Sequence, residues 1–123
     1  MSGTARAQQL AGLALADEAR QRSAEEAMLA TLRDPAQLDR LPEIGLCHGR
    51  AGLLHAAWRM AADARTSRIG DELPGLAARL IMQISRPHPQ AGLLDGMAGP
   101  ALALHALGTG TVASSWDSVL LLA

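Results

Sequence analysis

The chain has 123 residues, 49% of them apolar, and a formal net charge of −1. That is room for at most one domain with a core of its own. Charges of both signs are dispersed and no apolar run reaches bilayer length, so neither a nucleic-acid footprint, nor a polybasic membrane patch, nor a transmembrane segment fits the sequence.

Alanine and leucine dominate, Phe and Tyr are absent, and there are two Trp. That composition favours helices over strands. Every basic residue is arginine, which reads as the base composition of a GC-rich bacterial genome. The N-terminus carries no signal-peptide apolar region. One cysteine cannot form an internal disulfide, which suits a reducing cytoplasm.

The expected elements are helix hairpins. A first helix spans about Thr4 to Ala16, with leucines at 10, 13 and 15 among small residues. Asp17 to Arg22 reads as a polar turn. Ser23 with Glu26 three residues on makes a capping box, so a second helix is expected from Ala24 to Leu32. Residues 34–49 read as one long connection with two prolines and Gly45, and a long loop inside a compact domain points to function. A third helix runs from Arg50 to Ala64, where Leu53, Leu54, Ala57, Met60 and Ala61 recur at helical spacing. A fourth covers Asp71 to Ser85, with Pro74 in its first turn. A glycine loop from Gly92 to Gly99 leads into a fifth, Pro100 to Leu107. Gly108 to Gly110 is a stop and not a phosphate loop, since no strand precedes it. Ser115 caps a short last helix through Leu122.

The chain repeats itself. The frame Gly-Leu-x-x-Gly-x-Ala-Gly followed by an apolar run begins at Gly45 and again at Gly92, 47 residues apart. A weaker copy opens the chain, where Ser2 and Gly3 match Ala51 and Gly52. A period of this size marks a stacked or ring-closed helical array, here an all-α array of hairpins. In each unit a small apolar helix suits an inner layer and a more charged one an outer layer. Arranged around an axis, the glycine loops gather at one end, where a ligand site would lie.

Two adjacent positions change chemistry between the copies. The later copy has Leu94 and Asp95, and the earlier has Cys47 and His48. This pair sits just before the helix expected at Arg50, where the helix dipole and free amides favour a thiolate. Thiolate and imidazole are both good zinc ligands. The residue types also fit an inert buried cysteine beside a loop histidine. A catalytic zinc needs three protein ligands and an open position, and no second cysteine is present. His55 and His105 fall within helices and read as core or surface residues. His88, between two prolines, receives no role. Asp95 reads either as a turn aspartate or as a polar group facing the same site, and Arg50 either as a surface residue or as a carboxylate partner.

From Gly45 to His55 the sequence resembles the lanthionine synthetase C-like family, the lanthipeptide cyclases. The resemblance continues through Gly92 to Leu104 and ends at Trp116 to Leu122, covering essentially the whole chain. It implies an α/α toroid, two nested rings of helices, of which residues 1–123 form a single partial domain, the C-terminal arc. It implies a zinc ion held by Cys47, His48 and a cysteine from an upstream Trp-Cys-x-Gly motif. Asp95 and Arg50 are candidates for supporting roles beside the metal. The implied reaction, known from lantibiotic biosynthesis, adds peptide cysteine thiolates to dehydroalanine or dehydrobutyrine, closing (methyl)lanthionine rings. The family's general acid, a histidine, lies upstream, so no catalytic residue is expected here.

The implied partners are a dehydrated precursor peptide and either a dehydratase or the missing N-terminal part of the cyclase. The third cysteine would fall a few residues before Met1, so the expectation is a fragment of the zinc-dependent enzyme, inactive in isolation. The competing reading is a non-catalytic helical-repeat module that binds a peptide, a thiol or a partner protein.

Overall fold

Aspartates set where two of the helices start. The Asp17 carboxylate accepts the Arg20 N–H at 3.0 Å and starts α2 (Glu18–Leu32). The expected polar turn is therefore helical, and Ser23 lies inside the helix rather than at its cap. α1 (Ser2–Ala14) ends just before this turn, where Ala16 takes a left-handed φ of 54°. The Asp34 carboxylate accepts from Ala36 N and Gln37 N at 3.0 and 3.4 Å, with Pro35 in the first turn. The connection expected over 34–49 therefore contains a short helix, α3 (Pro35–Asp39).

The remaining helices are α4 (Arg50–Asp63), α5 (Arg68–Ile84) and α6 (Ala98–Thr109). α5 starts three residues earlier than expected, which leaves Pro74 inside the helix, exposed. A 3₁₀ segment, Ala113–Leu120, closes the chain. Ser114 and Ser115 are left-handed, with φ of 57° and 52°, so Ser115 sits in a kink rather than at a cap, and the expected short last helix is 3₁₀ as far as Leu120. The computed structural model describes residues 2–86, 90–120, 122 and 123, and among these there is no strand. His88 lies outside the described residues.

The helices form two layers. α1, α4 and α6 stand side by side, with α4 in the middle, and α2 and α5 back them. The sequence of α4 explains its place. Ala51, Gly52, Leu53, Leu54, His55, Ala56 and Ala57 are seven consecutive buried residues, with Met60 buried a turn further on, so the first half of the helix is covered on every side. α5 has the opposite pattern. Ile69, Leu73, Leu76, Ala77 and Leu80 recur at helical spacing and are buried, while Asp71 and Arg79 on the other face are exposed. Each fully buried Leu or Ile contributes about 1.5–3 kcal/mol.

The repeat in the sequence is a repeat in the backbone. Arg50 N donates to Glu43 O at 3.0 Å, and Met97 N donates to Gln90 O at 3.0 Å, 47 residues on. A Cβ at Gly52 would run into the carbonyl oxygen of Leu46, and one at Gly99 would meet that of Leu93. These glycines let each loop fold back onto the first turn of its own helix. Gly99 also faces the Leu46 side chain, and Cys47 N donates to Leu94 O at 3.4 Å, so the two loops stack at one end of the array.

A buried polar network ties α1, α2 and α4. Gln9 donates to Glu25 Oε1 and to the Met60 carbonyl at 3.1 and 3.0 Å. Gln21 donates to the same Glu25 oxygen at 2.9 Å, and Arg65 N donates to Glu25 Oε2 at 3.3 Å. Arg6, almost fully buried, donates to Gln9 Oε1 and Asp63 Oδ2, each at 2.7 Å. Every member is bonded, so this network specifies register without leaving a buried group unpaired.

Glycine spacing thus makes a paired prediction. Gly52→Ala forces a methyl against backbone and is expected to cost about 1–3 kcal/mol, the usual penalty of overpacking. Gly75→Ala, in α5 with nothing within 4 Å of its added Cβ, is expected to be neutral or to stabilise by up to ~1 kcal/mol through helix propensity. Urea unfolding of the two variants against the parent checks both signs.

Candidate metal centre

Residues 42–49 reach the start of α4 by capping it with their own backbone. Arg50 N, Ala51 N and Gly52 N donate to the carbonyls of Glu43, Ile44 and Gly45 at 3.0, 3.2 and 3.2 Å. The N-cap residue, Gly49, adds no side-chain bond. The amides expected to be free at this terminus are therefore already bonded to the loop's own carbonyls. The loop instead turns Cys47 and His48 outward. Both are exposed, so the alternative of a buried, inert cysteine is set aside.

The two side chains meet. Cys47 Sγ lies 3.3 Å from His48 Nε2. They open onto a cleft of about 250 Å³ between the start of α1 and the start of α4. Leu41, Leu46 and Leu53 supply apolar wall, and Ser2, Thr31 and Gln37 supply polar rim. The Thr31 hydroxyl is turned back to Ala27 O at 3.1 Å. The Gln37 side chain comes from α3, the helix inside the stretch expected to be one long connection.

The donor set fits part of a zinc site. Bonds of about 2.3 Å to sulfur and about 2.0 Å to nitrogen at a tetrahedral angle put the two donors roughly 3.5 Å apart, close to the 3.3 Å found. No cluster of three or more His, Cys, Asp or Glu side chains suited to a metal occurs among the described residues. The fit is to two legs of a site.

The other candidates lie elsewhere. Asp95 follows Leu94 on the neighbouring loop, exposed, and lines a separate depression with Glu43 and Gln90. Arg50 turns toward α3, donating to Leu38 O at 3.2 Å. His105 is exposed on α6. None of the three lines the Cys47–His48 cleft.

A second ionisable group lies away from the cleft. His55 is fully buried, as the core reading expected, and its Nε2 donates to Asp117 Oδ2 at 2.8 Å. Arg59 Nε donates to the same oxygen at 2.6 Å. The rings of Trp58 and Trp116 lie 5.4 and 4.5 Å from the imidazole. Burial pushes the His55 imidazole below its ordinary value, and the Asp117 hydrogen bond only partly offsets this. Burial opposes ionisation of Asp117, but the Arg59 and His55 hydrogen bonds outweigh it and hold its carboxyl below the ordinary value. The sequence reading passed over Asp117, because its partner lies 62 residues away and no local pattern announces it.

With this geometry in hand, the comparison with known families is decisive for kinship. The family model described as lanthionine synthetase C-like protein matches residues 1–121. The chain belongs to the lanthionine synthetase C-like family. Its membership supports a lanthionine synthetase-like function and a peptide substrate. Comparison with curated proteins and with solved structures finds no match. No helix among the described residues is long and apolar enough to cross a membrane.

Exposure of Cys47 has a direct check. The native chain is expected to take up one equivalent of a thiol reagent without denaturant. Labelling that appears only on unfolding would contradict the outward loop.

Proposed function

We propose that this chain contributes two zinc ligands, Cys47 and His48, to a lanthipeptide cyclase that closes (methyl)lanthionine rings in a dehydrated precursor peptide. The observation that carries the reading is the meeting of these two donors at near-tetrahedral spacing in a cleft that residues of both α1 and α4 line. In the same proposal the two-layer array is an arc of an α/α toroid, and the loops stack at its active end.

Each residue then has a task. Cys47 and His48 hold the ion, and zinc bound there supplies the chemistry of keeping a substrate thiol deprotonated and nucleophilic at neutral pH. Leu41, Leu46 and Leu53 exclude water from one wall and offer an apolar surface to the peptide. The Gln37 amide and Ser2 hydroxyl offer hydrogen bonds to peptide backbone. The described lining of the cleft includes no carboxylate and no histidine beyond His48, so in this reading the acid that protonates the carbon next to the carbonyl after thiolate addition is not one of the residues that line it. The third ligand is likewise a group delivered beside Ser2, where the first turn of α1 borders the cleft.

Zinc affinity tests the ligand assignment. Competition against a chromogenic chelator is expected to show weak binding by this chain alone, and no cyclisation of a dehydrated peptide. Adding a Trp-Cys-x-Gly segment ahead of Ser2 is expected to tighten zinc binding by well over tenfold, each factor of ten being about 1.4 kcal/mol. Cys47→Ala is expected to abolish that gain. An extended chain that binds zinc no better than the parent would remove Cys47 and His48 from the site.

A further inference from the structure

The end of the chain is held where its own sequence cannot hold it. Residues 116–120 and Leu122 lie across α4 and α1, on the two helices that also border the metal cleft. Asp117 is the first anchor, taking both its bonds, from His55 and Arg59, on one carboxylate oxygen. The second is Leu122, buried, whose carbonyl accepts from Arg6 Nε of α1 at 3.0 Å. Leu122 N returns to Asp117 O at 3.2 Å and closes the segment on itself. The backbone reaches this seat through two consecutive left-handed serines, 114 and 115, a conformation that side chains other than glycine disfavour.

We infer that residues 116–120, together with Leu122, are an acid-released clasp: docked while His55 is neutral, and let go when the imidazole takes up a second proton. The geometry of His55 supplies the reason. Its Nε2 proton is committed to Asp117. Its Nδ1 is fully buried and has no hydrogen-bond partner. A proton added there becomes a donor with no acceptor, shut between two indole rings.

The charged surroundings do not supply the missing acceptor. On α4 the neighbour is Arg59, which repels a second positive charge, and on the segment it is Asp117, already engaged at Nε2. α1 brings Arg6, taken up by Gln9, Asp63 and Leu122. α5 turns Arg68, Glu72 and Arg79 to Glu26, Arg33 and Asp39 of α2 and α3. α6 brings His105, which is exposed. On release the imidazole reaches water and recovers its ordinary value of about 6.5.

The sign of the pH effect follows. The docked imidazole titrates below its released value, so docking is complete above about pH 6.5 and weakens as the pH falls, by at most about tenfold per unit. Asp117 acts in the same direction only at lower pH, because its docked carboxyl is also held down.

Hydrogen exchange on the unmodified chain reads the clasp directly. Between pH 7.5 and 5.5, after correction for the intrinsic rate, protection of residues 116–120 is expected to fall about threefold to tenfold, while α2 and α5 keep theirs. Fluorescence of the two tryptophans, both against His55, is expected to change over the same window. His55→Gln keeps an N–H for Asp117 and cannot be protonated, so its exchange profile is expected to be flat. Equal protection of the segment at both pH values overturns the clasp, as does loss of protection in all helices together. A folded His55→Gln chain with the parent's acid response also overturns it. Should that variant not fold, the exchange result on the unmodified chain decides alone.

Discussion

Everything in this fold depends on how closely α4 can be approached. Among the described helices it has neighbours on both sides in its own layer and another at its back, and its sequence permits that because many of its residues are Ala or Gly. Ala51, Gly52, Ala56 and Ala57 bring backbones near, and Leu53, Leu54 and Met60 fill the space that remains. The same closeness operates at its first turn. Gly52 lies on the Leu46 carbonyl with no room for a methyl, so the loop before the helix is pressed onto the helix it leads into. That pressure aims Cys47 and His48. A looser turn would leave them free to point apart.

The two ends of α4 carry different chemistry for a physical reason. At its start, the loop consumes the first-turn amides with its own carbonyls, so the side chains of Cys47 and His48 are left unengaged by backbone and open to solvent. Donors that are exposed and mutually close suit a ligand that arrives from outside. Further along, His55 and Arg59 face inward and are met by Asp117. A buried ion pair of this kind gains little net stability over apolar packing, but removing one partner is costly. It therefore works as a specifier of place, and what it places is the end of the chain.

The helical class, the two glycine loops and the Cys47–His48 pair were legible because each rests on local chemistry. Helical spacing in α4 and α5 needs no knowledge of partners. The frame shared by Gly45 and Gly92 shows itself as a repeat, and the structure returns it as the same hydrogen bond, Arg50 to Glu43 and Met97 to Gln90. Boundaries were less legible where two caps competed. Ser23 with Glu26 has the better motif, but Asp17 comes first and sits at the tight turn after Ala16, so helix had already begun. α3 was missed because five residues are too few to show a period, although Asp34 and Pro35 together are a start signal.

By itself, the sequence determined the all-helical class, the repeat of 47 residues and the two adjacent positions, Cys47 and His48, where that repeat changes chemistry. Those are properties of neighbours along the chain, and short-range rules reach them. Only the tertiary structure decided that the two donors meet and face a cleft, that Ser2 and Gln37 border it, and that Asp95 and Arg50 do not. It alone decided that Asp117 seats on His55 and Arg59, and Leu122 on Arg6. These pairings join residues tens of positions apart. They come from where packed helices bring side chains, which no local pattern encodes.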